Sequence, residues 1–555
     1  MASNNINDIT EVIKFHKSGE FEKAKKLLSN ILKKNQKNSE IYKLMSVTEI
    51  QLGNLESSIK NINSAIDLNK NSAEYFLIRG FTFMKLKNHK KAIDDFEKSL
   101  KIDPNMNDAN VNIGVILSEL NDLKKSLDFF SKAIKQNPND FRAHTNKAYV
   151  KAELNDFEGA FEDINKSITI KSDLNSYLLR GNFYKELSDF DNSMKDYEKV
   201  INESKKLDNI DFFYDASYNK SLLNLLQGRF KEGWELYENR FNTKQHTTFQ
   251  KFKESVISNN QIDQKIPFLK RFDDFKNNNI LIIAEQGIGE HIIYLPLVLE
   301  ASKISKSITM LIEPRLIPLC KRSFKKINFV PFGTTHSGNY SLTDKDALNK
   351  SNFDYQIAVA SLPKFFRSKE GDFGNTPKGF FNVSKQLKDE IKDELNIPKN
   401  KKIIGISWKS FNSQWYYFKN IELKELRKVF DNLDLVLINL QYGEVQDEIN
   451  EFIKKTNIPI HQVKSLDNRE DLDGLVSLID LCDLVISTDN VTIQLSGSIN
   501  KETWALIPHV PHFFYQLNRS DCIWYPSIKL YRQKKRAQWS GILDNIRQDL
   551  IKKYF

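Results

Sequence analysis

Cysteine is scarce. Cys320, Cys482 and Cys522 lie far apart and form no C-x-x-C pair, so neither a disulfide framework nor a zinc knuckle is predicted, and a reducing compartment fits best. No apolar run approaches the roughly 18 residues of a membrane span, and the N-terminus MASNNINDITEVIKFHKSGEF carries no apolar signal segment. The cytoplasm is the expected location. No Ser-His-Asp, H-E-x-x-H or G-x-x-x-x-G-K-S/T pattern is present, which removes hydrolase, zincin and P-loop readings. Aromatic-rich basic motifs are missing, and this argues against a nucleic-acid partner. D-x-D stretches occur at Asp189-Asp191 and Asp471-Asp473. The first falls in a repeat and the second at a helix start, so both read as caps or solvated carboxylates, and no metal site is expected.

Apolar residues make up 40% and charged residues 28% of a 555-residue chain, enough to bury several cores. At roughly 100 to 200 residues per domain the length predicts three or four. The formal charge of +10 suits an anionic partner such as a nucleotide sugar, an acidic glycan, a membrane surface or nucleic acid. Lys and Asn are nevertheless spread throughout, and a skewed genomic composition explains the charge as well as a phosphate-binding groove does.

The N-terminal part is a repeat with a period of 34: Gly80, Phe83, Ala92, Phe96, Ser99 and Pro104 advance together to Gly114, Leu117, Ser126, Phe130, Ala133 and Pro138. Weaker copies keep the frame at Glu49-Ser58-Ile62-Ala65, Ala148-Ala160-Ile164-Ser167 and Gly181-Tyr184-Ser193-Tyr197-Val200. Two helices per unit need small residues where backbones cross and larger apolar ones to fill the groove to the next unit. Ala24-Leu28-Ile31 reads as the second helix of a degenerate first unit and QGRFKEGWELYENRF (227 to 241) as that of a last one. The pattern resembles the tetratricopeptide repeat, over residues 1–242. Such an array recognises a protein partner or acceptor, or serves as a scaffold or oligomerisation surface.

From about residue 279 short β-branched apolar runs alternate with helix-length polar segments. ILIIA (280 to 284), SITMLIE (307 to 313) and YQIAVA (355 to 360) predict one parallel sheet. KIIGISW (402 to 408), LVLINL (435 to 440), PIHQV (459 to 463), LVISTD (484 to 489) and TWALI (503 to 507) predict a second. Two doubly wound domains follow, 279–385 and 386–555, with 243–278 a linker from the repeats and SKEGDFGNTPKGFF (368 to 381) the connection between the sheets.

Ligands of open parallel sheets bind beyond strand carboxyl ends. AEQGIGEHIIYLPL (284 to 297) runs from a strand through Gly287 and Gly289 into a helix bearing Glu290 and His291. It is either a tight turn or a close approach to a ligand with a carboxylate base beside it. STDNVTIQLSGSINKETWALIP (487 to 508) starts a helix after Asp489, offering free amides near Asn490 and Thr492 to a diphosphate, though Asp489 also reads as an ordinary cap. Gly497 is expected to permit close helix packing. Trp408, Lys409 and Lys419 follow the first strand of the second sheet, where either lysine can neutralise a pyrophosphate or stand in water. Gln441 and Gly443 lie at another strand end, near a base or ribose.

Together GRFKEGWELYENRF, AEQGIGEHIIYLPL, LIDLCDLVISTDNVTIQLSGSINKETWALIP and WYPSIKLYRQ, in this order, resemble the heptosyltransferase-like glycosyltransferases. The likeness extends to those joined to tetratricopeptide repeats, as in O-linked N-acetylglucosamine transferases. The resemblance implies a multidomain protein, an all-α tetratricopeptide superhelix followed by an α/β GT-B fold of two Rossmann-like domains. It also implies inverting transfer from a nucleotide-diphosphate sugar to a protein or surface glycan, with no metal or further cofactor. Glu290, with His291 beside it, matches the base. Lys419 matches the diphosphate lysine, Asp489 through Thr492 the ribose and phosphate segment, and Gln441 the nucleotide-side loop. The family's Asp-Thr pair is Asp489-Asn490 here, and Gln494 replaces a usual histidine. These departures keep a second expectation open, a non-catalytic protein-binding scaffold with a vestigial transferase domain.

Overall fold

The computed structural model describes residues 2–34, 36–207, 209–243, 266–334, 340–342, 352–398, 400–410 and 416–555. Two compact units divide the chain, Met1–Phe183 and Tyr184–Phe555.

Among the described residues seven helical hairpins run in succession, from Ala2–Lys17 with Phe21–Lys34 to Ile210–Leu226 with Phe230–Tyr237. The 34-residue period has a steric origin. A Cβ on Gly80 would stand 2.7 Å from the Phe96 ring and one on Gly114 2.6 Å from Phe130, so these two hairpins close by seating a phenylalanine against a bare backbone. The turn inside each hairpin reverses through one left-handed residue, at Gly19, Gly53, Lys87, Asn121, Asn155, Ser188 and Gly228 in turn. Asn or Asp follows in the middle copies and caps the second helix, as Asn88 accepts from Lys91 N, Asp122 from Lys125 N and Asp156 from Gly159 N. Asp189 is such a cap, accepting from Asn192 N.

The rest is α/β. The strands β1 (Asn279–Ile283), β2 (Ser307–Ile312), β3 (Ile327–Thr334), β4 (Tyr340–Leu342) and β5 (Tyr355–Ala358) form a sheet ordered β4-β3-β2-β1-β5, parallel except for β4. The strands β6 (Lys402–Ser407), β7 (Leu435–Asn439), β8 (Ile460–His461), β9 (Leu484–Thr488), β10 (Thr503–Ile507) and β11 (Ile528–Arg532) form an all-parallel sheet ordered β11-β10-β9-β6-β7-β8. The runs expected as strands form β1, β2, β5 and β6 to β10. β3, β4 and β11 are additional.

The compact division does not fall at the expected boundary of 242. Phe230, Trp234 and Tyr237 of the last hairpin join the core of β1 and the helix Ile288–Ser302. Trp234 and Tyr237 meet Phe513 with ring centres 5.7 and 5.8 Å apart. Of the expected linker 243–278, residues 244–265 lie outside the described residues. Its later part is built in, with Phe275 fully buried. The connection 368–381 is also laid into the core. Phe373 packs on Trp524, and the Phe380 and Phe381 amides both donate to Ser498 O, at 2.7 and 3.0 Å. Its lack of periodicity reflects a path held by separate aromatic anchors. No helix of the described residues is long and apolar enough to cross a membrane.

Candidate functional site

A parallel sheet opens a crevice where its strand order reverses. Those points lie between β1 and β5 and between β6 and β9. A cleft of about 540 Å³ brings residues from both together: Gly287, Gly289 and Glu290 after β1, Asp489 and Asn490 after β9, and Lys419 from the helical turn Tyr416–Lys419 that follows β6.

Glu290 stands in the first turn of the helix Ile288–Ser302, whose N-cap is Gly287. A Cβ on Gly287 would lie 2.8 Å from Glu290 Oε2, so glycine leaves room for the carboxylate to fold back over the turn. Burial pushes the Glu290 carboxyl up to about 7; the negative charge of Asp489 adds to the shift and Lys419 opposes it. A carboxylate that titrates near neutrality is matched to accepting a proton from a hydroxyl. Lys419 Nζ lies 3.9 Å from Asp489 Oδ2. The Tyr515 hydroxyl donates to Asp489 Oδ1 at 2.9 Å and accepts from Gln494 Nε2 at 3.2 Å.

Asn490 acts as a clamp. Its Oδ1 accepts from Thr492 N at 2.9 Å, while Nδ2 donates to Ser407 Oγ at 2.8 Å and Lys409 O at 3.3 Å. One carboxamide thus caps the helix Val491–Ser498 and ties the end of β9 to that of β6. Gly497 in that helix faces Tyr525, where a Cβ would come within 2.4 Å of the ring.

The other candidates do not line the cleft. His291 is buried, and burial pushes it down to about 4. Trp408 is a core residue of the second sheet whose indole donates to Glu448 Oε1 at 2.9 Å, and Lys409 Nζ pairs with Glu448 Oε2 at 2.6 Å. The Thr492 side chain is fully buried. Gln441 holds a turn together, its Oε1 accepting from Ser407 Oγ, Trp408 N and Lys409 N at 3.1, 2.9 and 2.9 Å. With Gly443 it borders a neighbouring groove of about 940 Å³, which shares Tyr442, Asn468 and Arg469 with the cleft. Their positions at strand ends were legible; the directions of Trp408 and Lys409 were set by Glu448, and that of Gln441 by the Ser407 hydroxyl and the amides of residues 408 and 409.

Sequence reasoning missed Tyr218, Arg315, Arg469 and His512, which also line the cleft. Arg315 donates to Glu313 Oε1 and Arg469 O, both at 2.8 Å, and burial pushes His512 down to about 3, with Lys419 adding. Tyr218 sits in a repeat helix and carries no local signal. His512 stands in the run PHVPHFFY (508 to 515), whose proline and aromatic density was the available clue. Asp473, the second aspartate of the later D-x-D stretch, pairs with Arg322, and Asp471 caps its helix on Gly474 N.

Family models for the tetratricopeptide repeat match residues 73–106, 108–140, 141–174 and 174–206. The hairpins over these residues are tetratricopeptide repeats. The chain is 25% identical over 339 residues to protein FlbA of Caulobacter vibrioides, a match covering 59% of this chain and 54% of FlbA, so it spans about half the length of that relative. Among solved structures it is similar to MamA, at 19% identity over 29% of this chain and 93% of MamA with a TM-score of 0.27. It is also similar to YrrB, described as a repeat protein with an unusual peptide-binding site, at 19% identity over 30% of this chain and 88% of YrrB with a TM-score of 0.26.

Proposed function

We propose that the chain is a GT-B glycosyltransferase of the cytoplasm that moves a sugar from a nucleotide-diphosphate donor to a protein or surface-glycan acceptor, with inversion and without a metal. The observation that carries this reading is a single cleft lined by Glu290, Lys419 and Asp489, with the Glu290 carboxyl pushed up to about 7. Glu290 takes the proton of the acceptor hydroxyl as its oxygen attacks the anomeric carbon from the face opposite the diphosphate. The bond from that carbon to the diphosphate oxygen breaks, and its electron pair leaves with the diphosphate. Lys419 neutralises the charge that develops there. The groove beside Gln441 and Gly443 takes the nucleoside, and the tetratricopeptide repeats guide the acceptor. The ordered resemblance of four segments supports the same reading.

One observation favours the scaffold alternative: Trp408, Lys409 and Thr492 are turned away from the cleft, which leaves Lys419 and Asn490 with more of the work of holding a donor. Calorimetric titration with UDP, GDP and ADP in the absence of metal separates the two. A transferase binds one of them in the micromolar range. Lys419→Ala weakens that binding about 10- to 100-fold, the worth of a charge-assisted hydrogen bond, and Glu290→Gln spares it. Failure of all three nucleotides to bind would leave the repeats as the working part.

A further inference from the structure

Lys419 ends a single helical turn, Tyr416–Lys419, too short to hold its own geometry. Its ammonium is also weakly held within the cleft, since the nearest carboxylate oxygen, on Asp489, is 3.9 Å away. Something outside the cleft must aim it. The preceding residue, Phe418, is only 4% exposed and lies under the guanidinium of Arg536, whose central carbon is 3.2 Å from the ring centre. Arg536 Nη1 in turn donates to Glu186 Oε2 at 2.6 Å, and the two side chains of that pair are 10% and 18% exposed, so water screens it little. Glu186 is the last residue of the repeat helix Leu174–Glu186.

We propose that Glu186 is a positioning residue for Lys419, acting through Arg536 and Phe418, so that the end of a repeat helix sets the aim of the diphosphate-binding lysine. The inference rests on the donor-site reading above. The backbone supports the same frame. Phe418 O accepts from Gln533 Nε2 at 3.2 Å, and Gln533 Oε1 accepts from His509 N and Ala537 N, both at 3.2 Å. The turn that presents Arg536 includes Ala537 in the left-handed region at φ 57°, a conformation that is unfavourable for a residue with a side chain and persists where surroundings fix it. A guanidinium lying flat on a ring gains from both cation–π attraction and stacking. Its direction over the ring is set by the carboxylate it points to. With Glu186 neutralised, the guanidinium loses the carboxylate that directs it over the Phe418 ring, and the turn that ends in Lys419 is held less firmly.

The test titrates the full-length chain with the nucleoside diphosphate that binds it and with the corresponding nucleoside, which has no phosphate for Lys419 to meet. Glu186→Gln is expected to weaken the diphosphate about tenfold and leave the nucleoside unchanged. In the Lys419→Ala background Glu186→Gln adds no further loss, because the two residues act in series. Arg536→Lys, which keeps the charge but loses the flat face, reproduces the diphosphate loss and carries the comparison if Glu186→Gln folds poorly. Wild-type diphosphate affinity in both Glu186→Gln and Arg536→Lys, with Lys419→Ala weakened, overturns the inference and leaves the donor site standing. Equal losses for nucleoside and diphosphate, or additive losses in the double variant, overturn it by marking Glu186 as a packing residue. A wild-type chain that binds no nucleoside diphosphate overturns the donor-site reading and this inference with it.

Discussion

Burying Glu290 raises its basicity and costs stability by the same physics. Its folded pKa of about 7 lies above the ordinary 4.5, so between those values the native state holds more protons than the unfolded chain, and stability falls as pH rises through that window. Glu290→Gln is therefore expected to raise the melting temperature at pH 8, by the equivalent of roughly 1–3 kcal/mol, and to leave it unchanged near pH 4. In the same reading, wild-type sugar transfer rises with pH through about 7 as the base ionises. A flat activity profile across pH 6 to 8 would remove Glu290 from the base role. The glycines beside it separate two effects. Gly287→Ala puts a carbon 2.8 Å from the Glu290 carboxylate and is expected to lower transfer by about tenfold or more with little change in melting. Gly289→Ala meets only Gln494 Cγ, at 3.4 Å, and is expected to stay within about twofold of wild type.

Between elements, one buried ion pair fastens the last hairpin to the sheet that carries the cleft. Arg240, 1% exposed, donates to Glu285 Oε1 at 2.6 Å and to Ser361 Oγ at 2.8 Å, joining the turn Glu238–Asn242 to the ends of β1 and β5. Glu285 immediately precedes Gln286 and Gly287, so the same pair fixes where Glu290's helix begins. Burial raises the Glu285 carboxyl and the Arg240 charge opposes it. Arg240→Ala strands that carboxylate and is expected to cost about 3–5 kcal/mol, whereas Arg240→Met with Glu285→Leu recovers most of the loss. Thermal melting of the single and double variants reads the difference, and equal losses in both would show that packing alone joins these elements.

For the whole molecule, the unit Tyr184–Phe555 includes the last hairpin, so the α/β part needs it. A chain of residues 174–555 is expected to be soluble and to melt cooperatively. One of residues 243–555 lacks Phe230, Trp234 and Tyr237, each no more than 4% exposed in the full chain, and opens an apolar face that drives aggregation. Size-exclusion chromatography of the two chains decides the matter, and a monomeric, folded 243–555 would overturn it.

How much was legible followed the reach of each signal. The repeat could be read because Gly80 with Phe96 and Gly114 with Phe130 state the same local steric contact one period apart. Continuous apolar runs rich in β-branched residues marked β1, β2, β6, β7, β9 and β10 because a strand buried on both faces must be apolar throughout. β3 was hidden by Pro331 within INFVPFGT, which a strand tolerates only in special places. β11 was hidden by Lys529 and Arg532 in IKLYR, whose polar positions broke the run. At the cleft, strand-end placement is a matter of chain order, and it put Glu290, Lys419 and Asp489 on one list of candidates before any fold was seen. Which of that list face a common space was settled only by tertiary structure. Glu448 draws Trp408 and Lys409 aside, Ser407 and the amides of residues 408 and 409 occupy Gln441, and Tyr218 and His512 arrive from elements distant in sequence. Local spacing specifies what a segment forms, whereas the direction of a polar side chain is decided by the partner that three-dimensional packing brings within hydrogen-bonding distance.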